Sequence, residues 1–101
     1  MLCYEKNRGT LTVRLTGELD ERCAGQVRRE LDELILDPRV KHLVFDLDDL
    51  SFMDSSGIGL MIGRYKQMRR RGGTVAVRRA DARIDRIFRM AGLYQIIEKI
   101  G

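Results

Sequence analysis

Between Asp46 and Gly59 the chain reads Asp-Leu-Asp-Asp-Leu-Ser-Phe-Met-Asp-Ser-Ser-Gly-Ile-Gly, and this stretch concentrates the side chains able to do chemistry. Its four carboxylates, Asp46, Asp48, Asp49 and Asp54, are hard oxygen ligands of the kind that hold divalent cations, and Ser55 and Ser56 are adjacent hydroxyls. A solvated acidic loop is the simpler reading of the carboxylates, and no metal site is expected. Ser56 stands where a hydroxyl caps the free amides of a helix's first turn, a role whose loss would cost about 1 kcal/mol. Ser55, flanked by Asp54, has no comparable structural demand on its hydroxyl and is the candidate functional serine.

The elements around this stretch must position it. Leu11 to Thr16 alternates apolar and polar residues, the period of a strand with one face on a core. Asn7-Arg8-Gly9 before it predicts a hairpin turn from a strand at Cys3 to Lys6. Asp20 is placed to cap a helix over about Glu21 to Leu36, with Val27, Leu31, Leu34 and Ile35 at helical spacing and Asp37-Pro38 as the stop. His42 to Asp46 predicts a central strand buried on both faces, so the acidic loop from Asp46 to Asp54 is expected at its carboxyl end. Ile58, Met61, Ile62, Tyr65 and Met68 form one stripe of a helix ending at Gly72-Gly73, which leaves Arg64 and Lys66 on its exposed side. Gly57, Gly59 and Gly63 are expected to let this helix approach the sheet closely. Thr74 to Val77 reads as a strand; Ile84, Ile87, Phe88 and Ala91 mark a third amphipathic helix closed by Gly92; Gln95 to Glu98 reads as a last strand. Strands alternating with helices argue an α/β fold: a mixed, mostly parallel sheet of about five strands with helices packed on it. Binding sites in such folds lie at the carboxyl ends of strands, where the Asp46 to Gly59 stretch falls.

The chain has 101 residues, 44% of them hydrophobic, which supports one domain over 1–101 with a single core. Its longest apolar runs fall far short of the roughly 20 residues that cross a bilayer, and the N-terminus lacks a signal-peptide layout, so a cytoplasmic protein with no membrane partner is expected. Cys3, Cys23 and the single His42 cannot assemble a four-ligand zinc site; both thiols are expected reduced and mostly buried. The net charge of +4 hides an asymmetry: Met1 to Asp54 holds eight Lys/Arg against twelve Asp/Glu, and Ser55 to Gly101 holds eleven against three. The basic half raises nucleic acid or an acidic protein surface as partners.

Gly17-Glu18-Leu19-Asp20, Asp46-Leu47, Leu50 to Gly59 and Gly63-Arg64-Tyr65-Lys66 together resemble the anti-sigma-factor antagonists of the STAS-domain family, most closely the sporulation branch that acts on the sigma-F anti-sigma factor. The resemblance spans about Leu11 to Ile97. It implies a single STAS-type domain and a partner switch in which the unmodified antagonist binds an anti-sigma factor, itself a serine protein kinase, and so liberates the sigma factor. Phosphorylation reverses the binding and a serine phosphatase resets it. Carried over residue by residue, the phosphoacceptor is Ser55, with Asp54, Ser56 and Gly57 completing the loop. The partner-binding surface is expected at Asp20, Asp54, Ser55, Ser56, Gly57 and Ile58, joined by Arg64 and Lys66 if the helix after the loop provides the docking face. The resemblance implies no catalytic residue, metal or cofactor. Phosphate adds about −1.5 to −2 charge beside Asp54, which disfavours docking on an acidic or apolar partner. Relatives continue past the last strand with another helix, so Ile96, Ile97 and Ile100 are expected to have one cover fewer.

Two rivals start from other residues. Asp46-x-Asp48 after an apolar strand resembles the nucleophile loop of haloacid-dehalogenase-type phosphatases, but Leu50 stands where that motif needs Thr or Val, and the downstream lysine and acidic loops are missing. Gly57-x-Gly59 with Gly63 lacks dinucleotide-loop spacing. Arg69 to Arg71, Arg78, Arg79, Arg83, Arg86 and Arg89 suggest a nucleic-acid-binding domain; yet Arg83, Arg86 and Arg89 interleave with Ile84, Ile87 and Phe88 and read as the wet side of an amphipathic helix, with no exposed aromatic residues expected among them to stack bases.

Overall fold

A computed structural model describes residues 1–101. β1 (Leu2–Asn7) turns through Arg8 (φ 51°) and Gly9 (φ 84°) into β2 (Thr10–Leu19). Two successive left-handed residues are what a tight hairpin turn requires, and Gly9 supplies one without steric cost. α1 (Glu21–Ile35), β3 (His42–Met53), α2 (Ser55–Arg70), β4 (Thr74–Arg78), α3 (Ala82–Met90), a 3₁₀ turn at Leu93–Gln95 and β5 (Glu98–Lys99) follow. The sheet runs β1-β2-β3-β4-β5, antiparallel at β1–β2 and parallel elsewhere. This is the mixed α/β sheet the alternation predicted.

Leu11, Val13 and Leu15 of β2, Leu43, Phe45 and Leu47 of β3, and Val75 and Val77 of β4 point into one cluster with Val27 and Leu31 of α1, Met61 and Met68 of α2, and Ile84 and Phe88 of α3. Burying that cluster is the main driving force that presses the helices on the sheet. α1 begins as expected, with the Asp20 carboxylate accepting the Arg22 N–H at 3.0 Å. Ile97 is buried, whereas Ile96 is only half covered and Ile100 is exposed.

Several boundaries differ from the sequence reading. β3 does not stop at Asp46; it continues to Met53 because β2 extends alongside it, pairing Thr16 with Asp49 and Leu19 with Met53 across register shifts. Those irregularities set the buried residues Leu47, Leu50 and Met53 three apart, a spacing that hides the strand from a period-two reading. The final strand starts at Glu98, not Gln95, because the chain after Gly92 (φ 72°) first winds the 3₁₀ turn that buries Leu93. Cys3 is exposed and Cys23 half-buried, against the expectation of buried thiols; the Cys23 thiol donates to the Glu18 carbonyl. No helix is long and apolar enough to cross a membrane.

Candidate functional site

Asp54 follows β3 directly and has extended dihedrals (φ −105°, ψ −167°), which is the geometry of a helix-capping residue. Its Oδ1 accepts the N–H of Ser56 at 2.8 Å and of Gly57 at 3.3 Å. The cap is therefore Asp54 and not Ser56, because α2 starts two residues earlier than the hydroxyl pattern suggested. The other oxygen, Oδ2, accepts the N–H of Glu21 at 3.2 Å, in the first turn of α1. One carboxylate thus joins the amino ends of two helices, each carrying partial positive charge.

Ser55 is the first residue of α2, and its hydroxyl is exposed and makes no hydrogen bond within the chain. Ser56 is half-buried. Gly57 is closed in: a methyl there would strike Met53 Cγ and lie 2.8 Å from the Leu19 carbonyl, so α2 meets the ends of β2 and β3 at this residue. Gly59 and Gly63 face open space, contrary to the close approach expected of them. The buried face of α2 is Gly57, Leu60, Met61, Arg64 and Met68, while Ile58, Ile62 and Tyr65 of the predicted stripe are only partly covered. With Phe52, 41% exposed at the end of β3, Ile58 supplies apolar surface near Ser55. Sequence reasoning passed over Phe52 as part of a motif; the signal was its place between the inward Leu50 and Met53.

Arg64 is the main misplacement. It was expected on the exposed side of α2, but it is 7% exposed, with its Nε 3.4 Å from Asp32 Oδ1 of α1. α1 packs against α2 along the side that a single-helix wheel assigned to solvent. Lys66 is exposed as expected. Asp20, Asp54, Ser55, Ser56, Gly57 and Ile58 come together around the two helix starts, and Arg64 is held apart from that surface.

The acidic stretch divides in two. Asp48 and Asp49 are exposed and pair with Arg14. Asp46 is 2% exposed, and its carboxylate accepts from Arg78 at 3.2 Å, from Arg79 and from the Asp48 N–H. Asp46 is therefore a sheet residue and not part of a solvated loop. Burial raises its pKa, but the guanidiniums and the amide outweigh burial and hold it at about 2. Two arginines of the basic half are used in this way. Arg71 donates to the carbonyls of Asp37 and Val40, and Arg89 pairs with Asp85, which removes two more from a prospective polyanion surface.

The STAS domain family model matches residues 2–101. An anti-sigma F factor antagonist of Paenibacillus polymyxa is 43% identical over 93 residues, covering 92% of this chain and 80% of the relative. The anti-sigma factor antagonist SpoIIAA in its unphosphorylated form has 30% identity and a TM-score of 0.75, over 89% of this chain and 83% of that one. The Bacillus cell fate determinant SpoIIAA in the phosphorylated form has 28% identity and a TM-score of 0.78, over 100% and 92%. From a strand end capped into a helix by Asp54 to a family match spanning nearly every residue, the sequence and the fold agree that this chain belongs to the STAS-domain family.

Proposed function

We propose that residues 1–101 act as one unit, an anti-sigma-factor antagonist whose unmodified form binds an anti-sigma serine kinase and releases the sigma factor, and that phosphate on Ser55 ends the binding. A serine phosphatase restores the active form. The protein works in the cytoplasm as a regulator and not as an enzyme. The observation that carries this reading is the unbonded, exposed Ser55 hydroxyl on the first residue of α2, beside an Asp54 carboxylate already committed to two helix starts. A kinase can take that hydroxyl without breaking any bond of the fold.

The charge arithmetic supports a switch. The amino end of α2 tolerates a phosphate, since free amides and the helix dipole favour anions there. A docked partner meets instead a new dianion next to Asp54, on a surface whose other components are the apolar Phe52 and Ile58 and, further along α2, Lys66. Phosphorylation therefore costs the fold little and the interface a great deal.

Incubation with an anti-sigma serine kinase and ATP, followed by mass spectrometry, tests the assignment. Phosphate is expected on Ser55; phosphate on Ser56 with Ser55 unmodified would overturn it. The polynucleotide reading is weakened because Arg71, Arg78, Arg79 and Arg89 bond to acceptors of the chain itself.

A further inference from the structure

A cleft of about 370 Å³ lies between α1 and α2, with Glu21 and Ser56 at one end and Arg28 and Arg64 at the other. Gly25 and Gly59 form part of its lining, where larger side chains would fill it. A methyl on Gly59 would meet nothing within 4 Å, and one on Gly25 only the tip of Arg29 at 3.7 Å. Neither glycine has a positive φ or a clashing neighbour to explain it, although glycine weakens a helix interior. The space is a feature of the helix pair and not a consequence of tight packing.

The inner wall is Arg64, and its charge is poorly matched. Its side chain is 8% exposed, and Nε and Nη1 are buried without a hydrogen-bond partner. The Asp32 carboxylate stands 3.4 Å from Nε but out of line for a hydrogen bond, so Asp32 Oδ1 is itself unpartnered. Burial lowers Arg64's hold on its proton; Asp32 opposes this and the positive Arg28 adds to it. A guanidinium nevertheless stays charged in proteins and needs acceptors. Arg28 is exposed at the rim with no ion pair of its own. Two guanidiniums thus border one open space, the inner one short of acceptors.

We propose that this cleft binds a phosphate-class oxyanion, held by the Arg64 guanidinium from within, through Nη2, the one of its nitrogens not sealed off, and by Arg28 at the rim. A tetrahedral dianion suits the site because its several oxygens can accept from both guanidiniums at once, and such charge-assisted bonds are the strong ones. Ser56 and the open side of Gly59 leave room towards the amino end of α2 for whatever the phosphate is attached to. Glu21, also at that end, disfavours a second negative group there and directs the anion to the arginine end.

The test is a titration of the whole chain with inorganic phosphate at constant ionic strength, followed by ¹H–¹⁵N NMR. A parallel titration with acetate separates a phosphate from a carboxylate source. Saturable shifts are expected at the amides of Gly25 and Gly59 and at the Arg64 Nε–H, with acetate much weaker. Arg28→Gln, which removes an exposed and unpaired charge and leaves the fold intact, should weaken phosphate about tenfold. Gly59→Leu should fill the cleft and abolish the shifts at Gly25 and Arg64 while retaining the helix. Linear, unsaturating shifts, shifts centred on Arg69 to Arg71, equal affinity for acetate, or no change in Arg28→Gln would each overturn the proposal.

Discussion

Asp46 and Asp54 lie at the middle and just past the end of the same strand, and the fold uses their charges in opposite ways. Asp46 is sealed under Arg78 and Arg79, so its charge is cancelled where it stands. Asp54 is held by backbone N–H groups of Glu21, Ser56 and Gly57, which fix its position without neutralising it. An ion pair makes a carboxylate a structural part; amide ligation leaves its charge facing a neighbour. On the function proposed above, a phosphate on Ser55 would add to the uncancelled charge of Asp54 that a docked partner meets, whereas at Asp46 two guanidiniums already neutralise the carboxylate.

The largest effect should come from adding charge at the amide-held end. In calorimetric titration against one anti-sigma factor, unmodified protein and Ser55→Ala should bind alike, Ser55→Asp more weakly, and the phosphorylated form at least about a hundredfold more weakly, since like charges at an interface cost several kcal/mol. Tight binding by the phosphorylated form would break the contrast. Asp46→Ala should lower stability in urea by about 2 kcal/mol, because the Asp48 N–H and both half-exposed guanidiniums lose their acceptor, and leave that affinity unchanged. A changed affinity would show that the two aspartates are not separate in function.

Asp54→Ala should cost about 2 kcal/mol, near the upper end for a cap because two helix starts lose an acceptor, and should speed hydrogen exchange at the Glu21 amide as well as at Ser56. Exchange altered at Ser56 alone would mean that α1 does not depend on this carboxylate. Acid titration sharpens the other side of the contrast. The folded pKa of Asp46 lies at about 2, below the ordinary 3.8, so its contribution is fully present above about pH 4 and is lost as pH falls through about 2. That contribution is about 1–2 kcal/mol after screening at the half-exposed arginines, read as the difference in acid unfolding between the unmodified protein and Asp46→Asn. Smallest of all, Ser56→Ala should change stability by only a few tenths of a kcal/mol, because its side chain caps nothing. A loss near 1 kcal/mol would restore the hydroxyl cap that the sequence pattern suggested.

Much of this was legible in the chain itself. Alternation at Leu11 to Leu15, helical spacing at Val27 and Leu31, and the stops at Pro38, Gly72 and Gly92 are local signals, and local signals determine which element forms. The loop motif around Ser55 carried the family and the candidate serine for the same reason: its residues are contiguous. The sequence could not reveal what neighbouring elements do to a surface. Arg64 looked solvent-facing on an isolated helix and became buried because α1 covers that side. Asp46 looked like a loop carboxylate and became a buried sheet residue because β4 pairs beside β3, setting Arg78 opposite it with Arg79 just beyond. The cap moved from Ser56 to Asp54, and gained a second helix, because Glu21 arrives there from across the chain. Spacing along the chain determines which face a residue takes, whereas burial and charge partners depend on what packs against that face, and only the tertiary structure decides that.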